Sequence, residues 1–187
     1  MPLIQQLPSH LADMIAAGEV VERPASVVKE LLENTIDAGA SAVSVELRGG
    51  GMSLIRVSDN GCGIAPEELR TEKDLSCIGT LGFRGEALAA IAAVSRIEIT
   101  SRRRGAARGA RMSLEGGTAG AVEECGCPEG TTISVHNLFF NTPARMKFMK
   151  KDSAEASAAA AVVQHEALSH ARISFKLTRD GTEQLYT

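Results

Sequence analysis

Glu30, Glu33, Asn34 and Asp37 gather in KELLENTIDAGA (29–40), a stretch that otherwise reads as an ordinary amphipathic helix. At about 100° per residue the four polar groups occupy a sector of roughly 100°. Leu31, Leu32 and Ile36 supply the apolar face and Gly39 a stop. A solvated helix face usually mixes charge signs, so that i,i+4 pairs offset like-charge repulsion. Here only Lys29, at the margin, stands near the acids. Oxygen ligands for a hard cation, with a carboxylate placed to take a proton, account for such a stripe. So does a solvated face, and the helix alone does not separate the two readings.

Three further stretches carry possible chemistry. In DNGCGI, Asp59 ends a strand pattern, and Gly61 and Gly63 permit close approach or positive φ. A tight β-turn explains the same residues. GTLGFRGEAL spaces Gly79, Gly82 and Gly85 ahead of a helix whose free N–H groups suit phosphate oxygens. It matches neither GxxxxGK[ST] nor GxGxxG, and glycines also mark ordinary loops. EGTTISV places Thr131 and Thr132 at the opening of a strand, where β-branched residues need no function.

The elements that must position these residues follow from periodicity. A helix is predicted over 10–20, and a second from Pro24, whose missing N–H costs nothing in the first turn, to Gly39. SAVSVEL turns Val43, Val45 and Leu47 to one side, and MSLIRVSD returns as its hairpin partner after the glycines at 49–51. SRIEITSR, ARMSLEG, TTISVHNL and ISFKLTRD read as further strands, and RDGTEQLYT as a closing hairpin. Asp152 and Glu155 form a capping box for an alanine-rich helix over 153–171. Hairpin-linked strands with grouped helices give an α+β fold with a mixed, mostly antiparallel sheet, in one domain over 1–187.

Composition sets the limits. A chain of 187 residues buries roughly 70% of its unfolded surface. A net charge of −3 argues against a dedicated nucleic-acid module, and no Trp with one Tyr leaves few aromatic side chains for bases to stack on. The four cysteines and four histidines show no zinc spacing, and Cys125-Gly-Cys127 reads as two ordinary thiols. Asp13 and Glu19 interrupt any leader-like N-terminal stretch. The run ALAAIAAV is far too short to cross a membrane. The expectation is a soluble cytoplasmic protein.

The order of the motifs says more than each alone. A helix with Glu30 and Asn34, then Asp59-x-Gly61-x-Gly63, a glycine-rich loop into a helix, and Gly130-Thr131 resembles the GHKL ATPase superfamily. IAAGEVVERPASVVKELLENTIDAGA, LGFRGEALAAI and NLFFNTPARMKF resemble the bacterial MutL-type DNA mismatch repair proteins within it. A GHKL chaperone or kinase domain is the alternative, as is a non-hydrolysing nucleotide sensor. NTPAR and GFRGEAL speak against the first.

The resemblance implies a GHKL (Bergerat) sandwich with helices on one face of the sheet, binding ATP or ADP with Mg²⁺. It implies Glu30 as general base, Asn34 as Mg²⁺ ligand, and Asp37 as support for the metal and its waters. Asp59 would accept from the adenine amine, with Gly61 and Gly63 beside it and Thr131 at the adenine end. Gly82, Phe83, Arg84, Gly85 and Glu86 fall in the phosphate-cradling segment. The resemblance further implies clamp closure by a homodimer, a MutS-type mismatch sensor as partner, and no membrane. In the family a longer lid precedes LGFRGEAL, where here APEELRTEKDLSCIGT (65–80) is short. A catalytic lysine comes from a following transducer domain and a dimerisation domain lies at the C-terminus. Weak or absent turnover is therefore expected of this chain alone.

SRRRGAARGAR (101–111) is the one dense basic cluster. A solvated hairpin tip is its plain reading; under the resemblance, Arg102, Arg103 and Arg104 would hold DNA backbone non-specifically. Their sequence distance from the nucleotide motifs predicts that ATP binding is independent of them.

Overall fold

The computed structural model describes residues 21–69 and 85–187. The predicted 10–20 helix, Cys77 and residues 79–84, with Gly82, Phe83 and Arg84 among them, lie outside these.

The chain runs α1 (Pro24–Asp37), β1 (Ala42–Arg48), β2 (Leu54–Asp59), α2 (Gly85–Ala93), β3 (Arg96–Arg102) and β4 (Gly109–Glu115). It continues through β5 (Thr118–Ala119), β6 (Glu123–Cys125), β7 (Gly130–His136), α3 (Pro143–Met146), α4 (Asp152–Ser169), β8 (Ser174–Arg179) and β9 (Thr182–Tyr186). The strands form one sheet in the order β5-β4-β3-β7-β2-β1-β8-β9, with β6 also beside β4. Every neighbour is antiparallel except β8 on β1. The sheet is mixed and mostly antiparallel, as expected.

Alternation gives the sheet two faces. Val45, Val57, Ile133, Ile99 and Met112 lie in register across β1, β2, β7, β3 and β4, and all are buried. The opposite face carries Glu46, Arg56 and Ser134 in register, joined by an Arg56–Glu46 ion pair of 3.0 Å and an Arg56 Nε–Ser134 Oγ bond of 3.1 Å. The helices pack on the apolar face, α1 against α4 and β2, and α2 against β4. α1 buries Val27, Val28, Leu31 and Leu32 there. At about 2 kcal/mol per buried side chain, this outweighs the few tenths that like charges on its polar stripe cost.

Both ends of α1 are fixed. Arg23 Nη2 meets the fully buried Glu155 carboxylate at 2.9 Å, and Arg145 Nη1 donates to the Val21 carbonyl at 2.7 Å. At the C-terminus, Gly39 takes φ +68°, its N–H reaches Ile36 O at 2.9 Å, and Ala40 N–H reaches Thr35 O at 3.2 Å. These are the paired bonds of a Schellman stop. The predicted capping box on α4 does not form. Lys151 holds the cap position with no side-chain bond, and Glu155 Oε1 instead accepts from Lys150 N–H at 2.9 Å and from Arg23. A buried carboxylate gains more from a guanidinium and an N–H together than from a cap alone.

Candidate functional site

The apolar rows of the sheet give way to polar groups at one end. There Asp59, last in β2, adjoins Thr131 of β7, which stands opposite Ser101 of β3. Asp59 Oδ1 accepts from Gly61 N–H at 2.7 Å and from Thr131 N–H at 3.4 Å. Burial raises the Asp59 carboxyl above its ordinary pKa, against these two N–H groups, which lower it. A desolvated carboxylate at the end of a central strand is a costly group unless a donor meets it.

Glycine is required around it. A Cβ on Gly130 (φ +104°) would collide with Asp59 O, and one on Gly61 would lie 2.8 Å from both Ala38 Cβ and Ala38 O. Cys62 N–H donates to Ala38 O at 3.0 Å. The Asp59–Gly63 turn is thus pressed onto the C-terminal end of α1, which brings the polar stripe and Asp59 to one side of the molecule. From Asp37 to Glu30 the stripe climbs about 10 Å at 1.5 Å per residue.

Along it Glu30 and Asn34 are half-buried and Asp37 is exposed. Glu33, also half-buried, takes an i,i+4 ion pair from Lys29 Nζ at 3.7 Å. Among the described residues, no three His, Cys, Asp or Glu side chains gather as a metal cluster. Gly85 and Glu86 open α2, where unpaired helix N–H groups suit an anion. Two cavities, of about 540 and 250 Å³, lie elsewhere, the first along Arg96, Glu98, Glu115 and His136 and the second between α4 and β8.

Two residues that sequence reasoning did not single out hold this corner. Ser101 is fully buried; its Oγ donates to Gly130 O at 3.0 Å and accepts from Ile64 N–H at 2.8 Å. With its one proton spent, the 2.9 Å contact to Thr131 Oγ1 makes the threonine the donor. A serine at an inward position of an apolar strand was the readable signal. Asn60 Oδ1 accepts from both Ser41 and Ala42 N–H at 2.9 Å, which pins the start of β1 to the turn.

The basic loop between β3 and β4 is a hairpin tip, but it is not remote from this corner. Arg104 N–H donates to Cys62 O at 3.0 Å, its guanidinium reaches Asn60 O at 3.4 Å, and a Cβ on Gly63 would strike Arg102 O. The sequence distance on which the expectation of independence rests is thus not a distance in space, since β3 and β2 flank β7 and bring the two loops together. Arg108 and Arg111 are spent on Glu124 at 2.7 Å and Glu123 at 2.9 Å. Arg103 and Arg104 remain exposed.

The family model for histidine kinase-, DNA gyrase B- and HSP90-like ATPases matches residues 19–137. The DNA mismatch repair protein MutL of Neisseria meningitidis (strain Z2491) is 47% identical over 195 residues, covering 98% of this chain and 30% of that protein. MutL of Geotalea daltonii is 50% identical over 190 residues, covering 95% and 32%. The chain spans about a third of the length of these curated relatives. Among solved structures, the Aquifex aeolicus MutL ATPase domain complexed with ADP superposes with a TM-score of 0.79 at 38% identity, over 89% of this chain and 64% of that one. The N-terminal domain of a DNA repair protein gives 0.82 at 26% identity, over 94% and 56%.

Proposed function

This chain belongs to the histidine kinase-, DNA gyrase B- and HSP90-like ATPase family, in its MutL branch, and from that premise we propose that it binds ATP to drive a mismatch-repair clamp. The observation that carries the reading is the Asp59 corner, a desolvated acceptor seated among glycines and joined to the stripe of α1. Asp59 Oδ2 takes the adenine amine, with Thr131 and Gly61 holding the carboxylate in place. Gly63 keeps the turn close to the base. Gly85 and Glu86 at the start of α2, with Gly82, Phe83 and Arg84 before them in the sequence, would cradle the phosphates.

Mg²⁺ fits the donor set, because the amide oxygen of Asn34 and the Asp37 carboxylate one turn on are hard ligands. When bound, the ion neutralises phosphate charge. Asn34 would ligate it and Asp37 would hold its waters. Glu30 accepts the proton of the attacking water as the water oxygen bonds to the γ-phosphorus and the bond to the bridging oxygen breaks, leaving ADP and phosphate.

In the full-length protein these residues form the N-terminal nucleotide-binding part, followed by transducer and dimerisation domains. ATP closes a homodimer that answers a MutS-type sensor in the cytoplasm, at the nucleoid. Arg103 and Arg104, with Arg102 supporting their loop, hold DNA phosphates without sequence preference. Phosphate release from ATP by the full-length protein, with and without Mg²⁺, tests the reading. Mg²⁺-dependent release is expected; nucleotide binding with no release would replace the ATPase by a sensor. Arg103→Glu with Arg104→Glu lowers DNA affinity and flattens its salt dependence, and a parental salt slope removes the loop from the DNA surface.

A further inference from the structure

Cys125 and Cys127 belong to no part of the site above, yet their sulfurs converge. Cys125 closes β6 opposite Gly109 of β4. Cys127 lays its Sγ on the same glycine, where a Cβ would collide with the sulfur. The two thiols are close enough to interact electrostatically, and both are half-buried and unbridged. Residues two apart lie at most about 7 Å between Cα atoms, near the upper end of the disulfide span.

We propose that Cys125 and Cys127 form a reversible dithiol–disulfide site whose oxidation loosens the nucleotide corner, a regulation that rests on the nucleotide reading above. The oxidant is a low-molecular-weight disulfide such as oxidised glutathione. The Cys125 thiolate attacks one of its sulfurs, the S–S bond breaks, and the departing thiolate takes a proton. Cys127 then attacks Cys125 Sγ and expels the second thiolate, which is protonated in turn. Two cysteine thiols are oxidised and one disulfide is reduced to two thiols. Burial pushes the Cys127 thiol up, its electrostatic interaction with Cys125 adds to this, and Arg102 opposes it. The raised Cys127 thiol is the slower one to ionise, which leaves the first attack to Cys125. Once it is capped, its effect on Cys127 is gone and Arg102 favours the resolving thiolate.

The link to the site is short. Only Pro128 and Glu129 separate Cys127 from Gly130-Thr131. Glu129 Oε1 is tied to Gly105 N–H at 3.0 Å, and Gly130 has no room against Asp59 O. Closing an S–S bond of about 2 Å draws Cys127 off Gly109. The displacement passes to Thr131, whose N–H bond to Asp59 is already long at 3.4 Å.

Peptide mass mapping after exposure to oxidised glutathione, with ADP titration of the same samples, tests this. The expected peptide spanning Cys125 and Cys127 has lost two hydrogens, and ADP binds about fivefold more weakly, the loss of one misaligned hydrogen bond. Dithiothreitol restores both, and Cys125→Ser and Cys127→Ser show neither. Glutathione retained on Cys125, or modification at Cys62 alone, overturns the disulfide. A disulfide with unchanged ADP affinity overturns the coupling. If the reduced protein binds no ADP, the nucleotide reading has failed, and the mass mapping still decides the dithiol site.

Discussion

Replacing Asp59 by Asn exchanges one acceptor for a donor while keeping the shape of the corner. The carboxamide oxygen can take the place of Oδ1 and go on accepting from Gly61 and Thr131 N–H. The NH₂ group then stands where Oδ2 meets the adenine amine, donor against donor. A hydrogen bond to a charged group is worth about 1.5–3 kcal/mol, so ADP should bind about ten- to a hundredfold more weakly. Inosine diphosphate, with a carbonyl in place of the amine, should gain on ADP in the variant. Stability moves the other way. The Asp59 pKa is raised in the folded state, so burial of its charge costs stability that builds as pH rises through the ordinary carboxylate value and is complete above the raised one. At neutral pH the variant is free of that cost, and its Tm without nucleotide should rise. ADP affinity of the parent should fall as pH drops through the raised pKa and stay flat in the variant. Calorimetric titration with both nucleotides, beside thermal unfolding, reads all of this. Equal losses for ADP and inosine diphosphate, or unchanged ADP affinity, would refute the assignment of Asp59 to the base.

Glu30→Ala should keep nucleotide affinity and slow phosphate release by the full-length protein about 10²–10⁴-fold; a parental rate removes Glu30 from the mechanism. Asn34→Ala should weaken ATP binding more with Mg²⁺ than without it, because Mg²⁺ takes few protein ligands, and equal losses would assign Asn34 a purely structural bond. Ser101→Ala strips partners from Ile64 N–H, Gly130 O and Thr131 Oγ1. Stability should fall by about 1–3 kcal/mol in urea unfolding, and a change below a few tenths would mean that water replaces the hydroxyl.

Much of this was legible because local rules wrote it. Alternation of Val43, Val45 and Leu47 marked β1 and its buried face, and Gly39 marked the stop of α1. The stripe was half legible. Lys29 four residues before Glu33 was already a readable i,i+4 pair. The adjacency of the basic loop to the Asp59 turn was not readable, because it arises from β2, β7 and β3 pairing across long stretches of chain. For the same reason Cys127 gave no sign that it would lie on Gly109. Glu155 was misassigned as a cap, since its partner Arg23 lies far back in the sequence.

The central claim is that the stripe of α1 and the Asp59 corner face one nucleotide. Calorimetric titration of this chain with ADP and with a non-hydrolysable ATP analogue, each with and without Mg²⁺, tests it most directly. The expected result is one site per chain, tightened by Mg²⁺ and weakened separately by Asp59→Asn and Asn34→Ala. Saturable binding that neither substitution alters, or no binding at all, would contradict it.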